Sequence, residues 1–150
     1  MKHLETMIVR FSDCDAQGIV YNANYLRFID DAFDGLLRRS GLKLGESEWD
    51  VVLRKAEIEW SSSLTIGETF EIEFKMSRIG NTSFDMTYTG RGVLPHPPAR
   101  GSGAVLDGYP LEVFVAVVQY VGIDDVSRRP KRMPDWLLNM IAPEFAQKPS

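Results

Sequence analysis

The stretch Arg10-Phe-Ser-Asp-Cys-Asp-Ala-Gln-Gly-Ile-Val-Tyr-Asn-Ala-Asn-Tyr-Leu-Arg-Phe28 changes character in its middle. It reads as the end of a strand, a polar turn carrying Asp13 and Asp15, a glycine at 18, and then the start of a helix. From Tyr25 onward the apolar residues Phe28, Ile29, Ala32, Phe33, Leu36 and Leu37 recur at helical spacing, one stripe of an amphipathic α-helix over 24–40. Asn22 or Asn24 is expected to cap its start and Gly41 to close its end. A carboxylate just ahead of a helix start faces backbone N–H groups that have no partner within the helix. That pairing can set a nucleophile or base beside a site for a developing oxyanion. By spacing alone, the two aspartates read equally well as ordinary turn residues.

The rest of the chain reads as β-structure around this helix. Residues 6–11 read as a short strand. Residues 51–60 alternate Lys55, Glu57 and Glu59 with Ala56, Ile58 and Trp60. Residues 69–76 keep a strict period of two through Phe70, Ile72, Phe74 and Met76, the pattern of a strand with one buried face. A turn at Ile79-Gly-Asn-Thr82 leads to a strand over 83–91 with Phe84, Met86 and Tyr88 on one side. Residues 94–110 hold Pro95, Pro97, Pro98 and Pro110 and read as a long irregular connection. Residues 111–123 are nearly continuously apolar and read as a central strand buried on both faces, a second protomer covering what the helix does not. A short helical run ends near Ala142. One long helix and about five strands with short connections give an α+β fold, an antiparallel sheet with the helix against one face.

Composition narrows the function. At 150 residues the chain is expected to be one domain, spanning 1–150. The net charge of −4 and the lack of a basic stripe interleaved with aromatics argue against nucleic acid. The single cysteine, Cys14, rules out an intrachain disulfide, and with only two histidines a Cys/His structural zinc site cannot be assembled. No signal-like or membrane-spanning run is visible, so the cytoplasm is the expected compartment. Cys14 has no neighbouring histidine to activate it and reads as a small loop or core thiol.

Asp15-Ala-Gln-Gly18, followed by Val20, Asn24 and Tyr25, resembles the active-site signature of the 4-hydroxybenzoyl-CoA thioesterase-like family. The resemblance implies the hotdog fold, a long central helix wrapped by a curved antiparallel sheet of about five strands. It implies acyl-CoA thioester hydrolysis with Asp15 as nucleophile or general base. The oxyanion donor is then the backbone N–H seven residues on, that of Asn22, and Gly18 lets the backbone turn tightly beneath the carboxylate. Asp13 is expected to support the loop by hydrogen bonding. Some members carry a histidine just before the helix. Val20-Tyr-Asn-Ala-Asn24 has none, which leaves Asp15 with more of the mechanism.

A thioester suits so sparse a site. Its carbonyl is electrophilic and the CoA thiolate leaves readily, so one carboxylate and one main-chain donor can suffice. Tyr25, Phe28 and Trp60 are candidates for the acyl pocket. Arg78, Asn81, Thr82, Arg128 and Arg129 are candidates for CoA contacts, the arginines through charge-assisted hydrogen bonds. No metal or resident cofactor is expected, coenzyme A being part of the substrate. The expected partners are an acyl- or aryl-CoA and further copies of the chain, as a dimer or a tetramer. The alternative is a non-catalytic acyl-CoA or acyl-carrier binding protein on the same fold.

Overall fold

The computed structural model describes residues 1–43, 45–95 and 109–146. Its main elements are β1 (His3–Ile8), α1 (Asn24–Arg39), β2 (Trp49–Trp60), β3 (Thr69–Ile79), β4 (Ser83–Leu94), β5 (Leu111–Asp124) and α2 (Asp135–Ile141). The strands form one antiparallel sheet in the order β1-β3-β4-β5-β2. The proline-rich connection, with His96, lies largely outside the described residues.

The helix buries the stripe that its spacing predicts: Tyr25, Phe28, Ile29, Ala32, Phe33, Leu36 and Leu37. These side chains meet the inward residues of the sheet. Phe28 packs on Phe70 with ring centroids 4.9 Å apart, and Phe33 stacks on Tyr120 at 4.5 Å. Phe70, Ile72, Phe74, Met76, Phe84, Met86 and Tyr88 are all buried, so the period-two readings of β3 and β4 hold. The helix ends as expected. Gly41 has φ +98°, its N–H reaches the Arg38 carbonyl, and the Leu42 N–H reaches that of Leu37. This closure satisfies two late carbonyls and suits a glycine.

Two expectations need correction. The helix start carries no side-chain cap. Asn24 instead donates its amide to the Asp13 carbonyl at 2.8 Å, and a side chain committed there cannot fold back onto its own helix. The first strand runs over His3–Ile8 rather than 6–11, and residues Phe11–Asp13 wind into a 3-10 turn. The cause is Asp13, whose carboxylate takes the Arg10 N–H at 2.8 Å and curls the chain away from the sheet. Within one protomer, β5 is covered on its helix-facing side. Phe114, Ala116, Val118 and Tyr120 are buried, but Val117 is 40% exposed on the opposite face. The helix covers only one side of the sheet.

Candidate active site

The segment between the 3-10 turn and α1 is a miniature hairpin. The Tyr21 N–H donates to the Asp13 carbonyl, the Asp15 N–H to that of Ile19, and the Gly18 N–H to that of Asp15. Gly18 has φ +78°, a conformation side chains resist, and it lets the chain reverse right behind Asp15. The hairpin rests on the turn after β2. The Val20 N–H donates to the Leu64 carbonyl at 2.9 Å, and the Ile66 N–H to that of Gly18 at 3.1 Å.

The two aspartates have different surroundings. Asp13 is 0% exposed and is paired with Arg27 and the Arg10 N–H, the supporting role expected of it. Asp15 is exposed. One carboxylate oxygen accepts the Gln17 N–H at 2.8 Å, which fixes its orientation. The other has no protein donor among the described residues. Cys14, between them, sits at the edge of the core. Burial, followed by the charges of Asp13 and Asp15, pushes its thiol pKa up, the opposite of what a reactive cysteine needs.

At the base of the hairpin, just ahead of α1, the Asn22 N–H has no acceptor among the described residues. Its carbonyl starts the helix ladder by accepting from Tyr25. The aromatic candidates divide by burial. Tyr25 and Phe28 are 1% and 3% exposed and belong to the core, whereas Trp60 is 45% exposed at the end of β2. The Tyr25 ring meets Trp60 edge-on at 5.9 Å, and its hydroxyl accepts the Leu64 N–H. Burial is the main cause of its raised hydroxyl pKa. Tyr25 is thus a strut between helix and turn, and Trp60 is the accessible ring.

The basic candidates gather at the other end of the sheet. Arg78 forks onto Asp85 at 2.9 and 3.0 Å and reaches Ser83. Its hydrogen bonds are the first cause of the lowered Asp85 pKa. The Gly122 N–H donates to the Thr82 carbonyl, and the Lys131 N–H to that of Gly122. The 79–83 turn with Asn81 and the 128–132 segment therefore converge on the end of β5. Arg129 is exposed, and Arg128 contacts Asp50 at 3.3 Å at the start of β2. Asp15, by contrast, docks beside the end of β2 and the start of β3. Strands rise about 3.4 Å per residue, so the 11 residues of β3 hold the two groups roughly 30 Å apart on one protomer. The basic candidates share one end of the sheet, and Asp15 lies at the other.

Two participants escape the sequence reading. Arg27 pairs with Asp13, yet it looks like any charge on the solvent face of a helix. Glu68 is 2% exposed beneath the Asp15 hairpin, yet it looks like a solvent-facing strand residue after Gly67.

The family model of the thioesterase-like superfamily matches residues 9–141. The chain belongs to that superfamily. It is 33% identical over 85 residues to a 1,4-dihydroxy-2-naphthoyl-CoA hydrolase of Thermosynechococcus vestitus, a match covering 54% of this chain and 58% of that protein. It is 30% identical over 139 residues to a protein of the same activity from Synechococcus elongatus, covering 87% of this chain and 90% of that one. The matches to the first curated relatives span about six tenths of those proteins' length. Among solved structures, a 4-hydroxybenzoyl-CoA thioesterase mutant complexed with 4-hydroxybenzoyl-CoA superposes with a TM-score of 0.76 at 17% identity, covering 94% of this chain and 99% of that one. The fold of this superfamily member is the hotdog fold. Among the described residues no helix is long and apolar enough to cross a membrane.

Proposed function

We propose that this chain is an acyl-CoA thioester hydrolase acting on an aryl-CoA, with Asp15 as nucleophile or general base and the Asn22 N–H as oxyanion donor. The observation that carries this reading is the state of Asp15. It is exposed, fixed through one oxygen by the Gln17 N–H, and borne on the same hairpin as an N–H that has no partner among the described residues. In one route a carboxylate oxygen attacks the thioester carbonyl and the carbon–sulfur bond breaks. The CoA thiolate leaves, and water then cleaves the mixed anhydride. In the other, Asp15 takes a proton from water as the hydroxide equivalent attacks. Either way negative charge builds on the carbonyl oxygen, where a fixed main-chain donor contributes most. Coenzyme A enters only as part of the substrate. The aryl preference is supported by the hydrolase names of the relatives and by the accessible ring of Trp60.

The same reading calls for a second copy. Asp15 and the basic residues lie at opposite ends of the sheet, and β2 is an open edge exposing Val52, Leu53 and Trp60. Antiparallel two-fold pairing along β2 would set the Trp49 end of one copy beside the Trp60 end of the other. The basic residues of one protomer, with Arg128, Arg129, Arg78, Asn81 and Thr82, then face the Asp15 of the other. The groove of about 250 Å³ at the Trp49 end, lined in part by Phe33, Leu37, Val51 and Tyr120, becomes the compartment beside that aspartate.

A thiol-release assay tests the reading across 1,4-dihydroxy-2-naphthoyl-CoA, 4-hydroxybenzoyl-CoA, and short- and long-chain acyl-CoAs. Turnover highest on an aryl-CoA is the expected result. Stoichiometric binding of these thioesters with no thiol release would make the chain a binding protein instead.

A further inference from the structure

Glu68 is a buried carboxylate that the mechanism above does not use. It is 2% exposed, and its hydrogen-bond partners among the described residues are neutral. One oxygen accepts both the backbone N–H and the hydroxyl of Thr65, at 3.0 and 3.2 Å. The other accepts the Tyr109 hydroxyl at 3.0 Å. A carboxylate in such a place is costly to bury without a cation. Closing the short turn from Thr65 to Glu68 requires only one acceptor. The second oxygen adds a tie to Tyr109, at the entry to β5. The backbone makes room for this tie. A Cβ at Gly92 would collide with the second Glu68 oxygen and lie 3.1 Å from the Tyr109 ring.

The turn held by Glu68 is the one on which the Asp15 hairpin rests. Thr65 bridges to Ile19, the Ile66 N–H holds the Gly18 carbonyl, and the Leu64 carbonyl holds the Val20 N–H. A chain of bonded groups therefore runs from Tyr109 through Glu68 and Thr65 to Gly18 and Ile19, directly behind Asp15. We propose that Glu68 is a positioning residue for the Asp15 loop, clamping the 64–66 turn beneath it and anchoring that turn to β5 through Tyr109. This rests on the assignment of Asp15 as the reacting carboxylate. Small displacements of a reacting group lower turnover more than substrate binding, so the clamp should register in kcat rather than KM.

The test uses the full chain with Glu68→Ala, Glu68→Gln and Tyr109→Phe, read by amide hydrogen exchange, thermal unfolding and aryl-CoA hydrolysis. In Glu68→Ala the Val20 and Ile66 amides should exchange roughly tenfold faster or more, as expected for loss of a net hydrogen bond, while the Met86 and Val118 amides keep their protection. In the same variant kcat should fall at least about tenfold with KM within about twofold, by the misplacement argument. Glu68→Gln keeps an oxygen for Thr65 and should restore most of both. Tyr109→Phe should give a smaller loss in the same direction. Unchanged exchange at Val20 and Ile66 in Glu68→Ala would overturn the proposal. So would faster exchange there with kcat unaltered, or an equal loss of protection across the whole sheet, which would mark Glu68 as a general stabiliser. Failure of the underlying assignment shows separately, as full turnover by Asp15→Asn with Glu68 intact.

Discussion

Asp15 and Asp13 are two positions apart on one turn, and the chain treats their carboxylates differently. Asp15 faces solvent with one oxygen unengaged among the described residues, while Asp13 is sealed beneath the hairpin against Arg27. Asp15→Asn is expected to leave the fold intact and lower kcat by at least about a hundredfold, the usual contribution of a positioned acid or base. Steady-state kinetics on the folded variant checks this, and near-normal turnover would contradict it. Asp13→Asn should instead lower unfolding stability by about 1.5–3 kcal/mol, the range for hydrogen bonds to charged groups, with a smaller effect on kcat. Denaturant titration separates the two. A third aspartate gives a pH signature. The Asp124 carboxylate accepts the Ser127 N–H and the Val126 N–H and lies near Lys131, which in that order hold its pKa down from 3.8 to about 2. A depressed carboxylate stabilises the fold above its unfolded pKa and loses that effect as pH falls through the folded one. The melting-temperature gap between wild type and Asp124→Asn should therefore be constant above about pH 5 and close progressively toward pH 2.

Main-chain bonds tie the hairpin and the start of α1 into one element: the Tyr21 N–H donates to the Asp13 carbonyl and the Asn24 N–H to that of Tyr21. If the Asn22 N–H receives the oxyanion, Asn22→Ala keeps the donor and should be mild, whereas Asn22→Pro removes it and should be severe. Kinetics of both, with a structure of the proline variant to confirm the loop, decides the matter. An Asn22→Ala loss as large as that of Asp15→Asn would place the role in the side chain. Within the sheet, β4 passes Phe114 without a side chain at Gly90, where a Cβ would sit inside the ring's contact distance. Gly90→Ala should cost about 1–3 kcal/mol by overpacking, and chemical denaturation would report it.

At the scale of the whole chain, Asp15 and the candidate CoA residues lie at two distant ends of the sheet. A two-fold dimer along β2 would join each end to the complementary end of its copy. This arrangement predicts complementation. Refolding a mixture of Asp15→Asn and an Arg128→Ala/Arg129→Ala double variant should give mixed dimers with one intact site. In a statistical mixture roughly a quarter of wild-type activity should return. If each protomer instead supplied all of its own site, no mixed dimer would carry an intact one and activity would stay low. Sedimentation showing a fully active monomer at assay concentration would remove the need for a partner altogether.

The helix, the inward faces of β3 and β4, the glycine closure at Gly41 and the Asp15-x-x-Gly18 turn were legible in the chain, because each depends on neighbours a few residues apart. Periods of 3.6 and 2 and a glycine's freedom at positive φ are local properties. The burial of Asp13, the diversion of Asn24 from capping and the burial of Glu68 were not. Each depends on what lies across the fold. Asn24 reaches a carbonyl 11 residues back, Glu68 meets a tyrosine 41 residues away, and the Trp49 indole donates to Lys131, 82 residues on. The same holds for the candidate CoA residues. Their chemistry was readable as basic and polar side chains near turns, but their gathering at the end of β5, opposite Asp15, follows from the β1-β3-β4-β5-β2 strand order. Local backbone preferences set the elements, and long-range packing sets which polar groups are buried, paired or left free to react.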